Sequence, residues 1–364
     1  MTQKHGVAAV LAVLVLMLTV AAPLSSGGSD AAGGSFYQSQ LDPNGNAVYE
    51  ALGSLRGDYS NSATVEVALP TPVMHADAAA AEAYAVGTVM DALAARYMGD
   101  PLIVHLWDLP VSVPDVGVTT SVVTVSGDGG ASGRYHTASS VTFTLTVPAD
   151  MLDDPATEAN ELADRMEGLK AVAKGMTVSG EVPSEAKSLV GKLSGTKVVS
   201  DPEGEVGNMY DALVIRSSSS AGIAAAYTYL CTLNGIDAVT VPGTVYGSDG
   251  EGTAAYWNAV LYDGGWYAVD VCSDRSADDG EYVMAGASTS VPVGKDTEMF
   301  SAVNVADTSV VVPNSLTSPG LVRDGYEYPD DSTFFERYGA HIFMVVLVGI
   351  IVACIVYGIR SGEL

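Results

Sequence analysis

The stretch from Met209 to Cys272 constrains the fold of this chain more than any other. It opens Asn208-Met-Tyr-Asp-Ala-Leu-Val-Ile-Arg216, crosses four serines at 217–220 and Ala221-Gly222, and enters an apolar run, Ile223 to Leu233. That run is long enough for a buried helix, and Gly235-Ile236 ends it. A strand through Val239 and Val241 to Val245 follows, then Ala255-Tyr-Trp-Asn-Ala-Val-Leu-Tyr262, the turn Asp263-Gly264-Gly265, and Trp266-Tyr-Ala-Val-Asp-Val-Cys272.

This order of residues resembles the core of the transglutaminase-like family, which belongs with the papain-like cysteine proteases. Ala212-Leu213, Gly222, Leu230-Cys231, Gly235-Ile236, Trp257-Asn258, Trp266-Tyr267 and Asp270 fall in the family's register without a gap. The resemblance implies an α+β fold with a papain-like core, a helix packed on an antiparallel sheet. It also places Ser220 where the family has its nucleophilic Cys and Ala255 where it has its His. Asp270 alone keeps the family's identity. The chemistry needs a nucleophile at a helix start, an imidazole to take its proton, and a carboxylate to orient that imidazole. A Ser hydroxyl holds its proton far more tightly than a thiol, and the methyl of Ala255 takes none. The expected site is therefore silent toward thiol acyl transfer, with no cofactor and no metal. The helix start at Ser220 with Gly222, Tyr256, Trp257 and Asn258 forms the candidate binding cleft.

None of the five His falls in this core, and His105 lies in the apolar run Leu102 to Trp107, which reads as strand. Cys231 and Cys272 read as buried apolar positions on the helix and a strand, with a bridge between them left open. Sixteen Lys+Arg against 43 Asp+Glu give a formal charge of −27, which excludes nucleic acid as a partner. The acidic loop at 273–280 fits no EF-hand spacing, and the glycines at 127–130 lack the Lys and helix of a phosphate loop.

Residues 1–22 read as a signal peptide or an uncleaved signal anchor, and 23–35 as a linker. An N-terminal α/β region covers 36–197. Within it, Ala47–Leu52, Asp77–Met98 and Asp153–Met176 are expected helices, and Ala63–Leu69, Val118–Val125 and Val141–Val147 expected strands. Tyr49-Glu-Ala-Leu52 and Asp100-Pro101 to Trp107 resemble what precedes the core in bacterial and archaeal family members. The core spans 198–290, including a strand at Glu281–Met284, and a C-terminal strand and stalk spans 291–337. The uncharged run Ile342–Ile359, within 338–359, reads as a transmembrane helix, with Arg360 placing the tail 360–364 in the cytoplasm. These features predict a membrane-anchored extracytoplasmic domain, catalytically inactive, that binds a protein, a peptide or a cell-envelope polymer. Two alternatives are a hydrolase or acyltransferase using Ser220 with a base from outside the core, and a structural envelope spacer.

Overall fold

The structure is a computed structural model that describes residues 36–55, 57, 60–101, 114–126, 132–147, 159–199, 208–246, 252–272, 282–288, 300–302, 316–329, 343, 344 and 348. Helix α1 (Pro43–Gly53) starts at Asp42, whose carboxylate accepts from the Gly45 amide at 2.7 Å. Proline at the first helical position costs nothing there, because that amide has no helical partner. Strand β1 (Ser62–Ala68) alternates exposed and buried residues strictly, as its Val65/Val67 pattern predicts. Helix α2 (Ala78–Gly99) is capped by Asp77 on the Ala80 amide at 2.8 Å.

Strands β2 (Val116–Ser126) and β3 (Ser132–Thr146) complete an antiparallel sheet of order β1-β3-β2. The third expected strand starts nine residues earlier than its Val141–Val147 alternation announces. Small and polar residues at 132–140 hide a segment whose ladder with β2 runs unbroken apart from one register shift beside Thr119.

Two further helices, α3 (Ala159–Lys174) and α4 (Val182–Leu193), precede the core. The sequence reading has no α4. Its buried residues Ala186, Leu189, Val190 and Leu193 keep helical spacing, but Gly180, Pro183 and Gly191 make the stretch look like loop. Strand β4 (Lys197–Val198) pairs in parallel with β5 (Ser217–Ser218), across one π-helical turn at Asp211–Ile215.

Helix α5 (Ser220–Leu233) is the central element. Every residue from Ala221 to Cys231 is buried, as an all-round apolar helix requires. It ends where Gly235 adopts φ +71°, the Ile236 amide donates to the Cys231 carbonyl, and the Gly235 amide donates to Thr232. This is a Schellman ending that needs φ > 0 at one residue. Strands β6 (Ala238–Tyr246), β7 (Gly252–Tyr262), β8 (Gly265–Val269), β9 (Val283–Ala285) and β10 (Phe300–Ala302) form the second sheet, in the order β10-β6-β7-β8-β9. Asp263 and Gly264 both take positive φ in the two-residue β7–β8 turn, as an Asp-Gly hairpin demands. Strand β8 stops at Val269, so Asp270 and Cys272 stand in the following turn rather than on a strand. No disulfide joins Cys231 and Cys272.

Two apolar cores result. In the first, α2 (Val89, Leu93) lies with β1 and β3 (Val65, Phe143) and with Val241 and Trp257 of the second sheet. In the second, α5 (Ile223, Tyr227) lies with α3, α4 and the other side of that sheet (Val260, Val269). Each large side chain so buried contributes roughly 1.5–3 kcal/mol.

Residues 316–329, in the stretch read as strand and stalk, run along the body as a strap. The amides of Val322 and Tyr326 donate to Trp266 and Met284, and those of Ala287 and Ser288 donate to Val322 and Arg323. Gln40 holds Thr317 through three hydrogen bonds of 2.8–3.0 Å. Among the described residues no helix is long and apolar enough to cross a membrane. The expected segments 1–22 and 338–359 lie outside them, apart from Phe343, Met344 and Val348.

Candidate functional site

The start of α5 is built by its own serines. Asn208 and Asp211 cap each other reciprocally, side chain to amide, at 3.1 and 3.2 Å. The chain then turns through Arg216 in the left-handed region (φ +65°), and Ser218 Oγ donates to the Asn208 carbonyl. Ser219 is the N-cap, its Oγ accepting from the Gly222 amide at 3.4 Å. Two of the four serines therefore hold the turn, and Ser220, half-buried, begins the helix.

Ser220 Oγ accepts a hydrogen bond from the Tyr256 amide at 3.2 Å. Tyr256 lies beyond Asn258–Val269, the last pair of the β7–β8 ladder at that end. The helix start thus meets β7 where β8 peels away. Ala255 immediately precedes Tyr256, and Asp270 immediately follows the last residue of β8. The fold brings the Ser220 hydroxyl to the neighbour of Ala255, and brings Asp270 to the same end of the sheet. Asp270 is 2% exposed, and its carboxylate accepts from the Cys272 amide at 2.9 Å.

The side chains expected to line a cleft are packed inside. Trp257 and Asn258 are 2% and 1% exposed, Tyr256 is 9% exposed, and Gly222 is buried. Asn258 Nδ2 donates to the Ala224 carbonyl at 2.9 Å and to Thr228 Oγ1 at 3.0 Å, and Thr228 meets Thr240 at 2.9 Å. This chain of polar groups fixes α5 against β6 and β7, and buried polar groups without such partners are costly. Tyr256 stacks edge-on with Tyr97 of α2, and burial raises its phenol above the ordinary range. Sequence reasoning missed Thr228, Thr240 and Tyr97. The one signal available was a threonine amid an apolar helix.

Of the five histidines, His75 and His136 fall among the described residues, and they exchange backbone hydrogen bonds beside the first sheet. His5, His105, His341 and the acidic loop at 273–280 lie outside the described residues. Cys231 is wholly buried, which pushes its thiol well above the usual range. Among the described residues no group of three or more His, Cys, Asp or Glu could hold a metal ion.

No family model matches the chain, and no curated protein does. Solved structures with partial likeness include a crystal structure of a TGase, at 10% identity and a TM-score of 0.27, covering 43% of this chain and 44% of that one. A second is a proposed cysteine protease from Cytophaga hutchinsonii, at 14% identity and a TM-score of 0.24, covering 43% of this chain and 64% of that one. The chain thus spans less than two thirds of either.

Proposed function

We propose that this chain is a membrane-anchored extracytoplasmic domain with a transglutaminase-like core disarmed at its nucleophile and base, and that its role is structural. One observation carries the reading. The hydroxyl at the start of α5 accepts a hydrogen bond from the backbone of β7, next to a position that bears a methyl group. A serine nucleophile needs a base within about 3 Å to take its proton. General-base help is worth roughly 10²–10⁴ in rate, so a serine without it retains little.

The burial of Gly222, Trp257 and Asn258 favours the structural spacer over a binding groove at this site, because buried residues offer a ligand no surface. The apolar runs at both ends of the sequence support export and anchoring.

The test is a fluorophosphonate probe, which reports an activated serine by forming a covalent adduct. We expect no adduct on Ser220 in the folded chain. Labelling that disappears in Ser220→Ala would replace this reading with that of a serine hydrolase.

A further inference from the structure

The basic residues of this acidic chain are not spread evenly. Residues 168–199 hold five lysines and only two acids, Glu181 and Glu185, a net +3 within a chain of −27. Lys187 and Lys192 are exposed on α4, and Lys197 is exposed on β4 beside it. Arg216 joins them, since its Nη2 donates to the Lys192 carbonyl at 2.9 Å and its own carbonyl accepts from the Lys197 amide. Its Nη1 is buried without a hydrogen-bond partner among the described residues. Two apolar side chains, Ile215 and Val198, stand exposed next to these cations, at 57% and 36%.

The strap ends on the same element. Tyr328 donates through its hydroxyl to the Pro183 carbonyl at 3.0 Å, and Lys187 Nζ lies 5.0 Å from the centre of its ring. Residues 329–337 are all that separate this point from the proposed anchor at 338–359. Nine residues reach about 32 Å at most. With the proposed anchor in the bilayer, the Tyr328 backbone is thereby held within roughly that distance of it.

We propose that the exposed face of α4, with β4 and Arg216, docks on the anionic headgroups of the membrane to which the strap leads. Cations with neighbouring apolar side chains suit a headgroup layer, while the acidic remainder of the chain is repelled by it. Charge alone then selects which end of the domain faces the lipid. This inference rests on the anchoring proposed above.

The test uses the full chain with zwitterionic phosphatidylcholine vesicles and with vesicles that also contain phosphatidylglycerol. Amine-reactive labelling of Lys187, Lys192 and Lys197 is read by mass spectrometry. On the anionic vesicles we expect labelling to slow on the order of tenfold, and high salt to restore it. The double variant Lys192→Glu, Lys197→Glu should lose the protection at Lys187. Equal labelling on both lipids overturns the docking surface.

Anchoring is read separately, as resistance to an alkaline carbonate wash. If the chain washes off, the anchor fails, and docking is decided by salt-sensitive cosedimentation with the anionic vesicles. Cosedimentation abolished by the double variant supports docking, and absent or variant-insensitive cosedimentation overturns it.

Discussion

Replacing Gly286 by alanine tests whether the strap is integral to the fold. A Cβ at this position would lie 2.4 Å from the Asp324 carbonyl carbon, 2.6 Å from the Arg323 oxygen and 2.7 Å from the Asp324 oxygen. These are backbone atoms, so no side-chain rotation relieves the overlap, and the strap itself must move. The bonds at stake are those from the Ala287, Ser288 and Tyr326 amides to Val322, Arg323 and Met284. Overpacking costs roughly 1–3 kcal/mol, and a lost backbone hydrogen bond about 1 kcal/mol. Partial relaxation makes these overlap, so we expect Gly286→Ala to destabilise by about 2–4 kcal/mol. Urea unfolding of the chain in detergent gives the total, and hydrogen exchange at 287, 288 and 326 locates it. A loss below about 0.5 kcal/mol with those amides still protected would refute the close approach of strap and sheet.

Three further outcomes follow from packing and charge. Gly87 is an exposed residue within α2 with nothing within 4 Å of an added Cβ, so Gly87→Ala should stabilise by roughly 0.5–1 kcal/mol in the same urea assay. Burial raises the Cys231 thiol, so a disulfide reagent at neutral pH should leave Cys231 unmodified until the protein unfolds. Burial likewise raises the phenols of Tyr37 and Tyr256, so the unfolded chain releases those protons first. Stability is therefore intact below about pH 10 and falls as pH climbs past that value, and Tyr256→Phe should flatten the fall in an alkaline titration followed by circular dichroism.

Elements whose pattern is set by local chemistry were legible in the sequence. The alternation of β1, the Asp263-Gly264 turn and the Gly235 ending of α5 each follow from backbone sterics or burial period. Helix α4 was hidden because Gly and Pro residues mask a correct helical spacing. The strap was hidden because its order comes from pairing with residues 40, 266 and 284–288, which no local pattern reveals. At the candidate site, Ser220 Oγ accepts from the Tyr256 amide next to Ala255, a contact across 36 residues that no local pattern in the sequence reveals. The burial of Trp257 and Asn258 was not legible, since an aromatic and an amide suit a cleft and a core equally.

The alkylation rate of a cysteine placed at position 220 tests most directly whether the core is transglutaminase-like and merely disarmed. Ser220→Cys alone places a thiol at the start of α5, and adding Ala255→His places an imidazole on β7 next to Tyr256. An adjacent imidazolium lowers a thiol from its ordinary value near 8.5, so the account predicts that iodoacetamide reacts about tenfold faster at neutral pH with the double variant than with the single one. Equal rates in two folded variants would contradict it, because positions 220 and 255 would then not face one another.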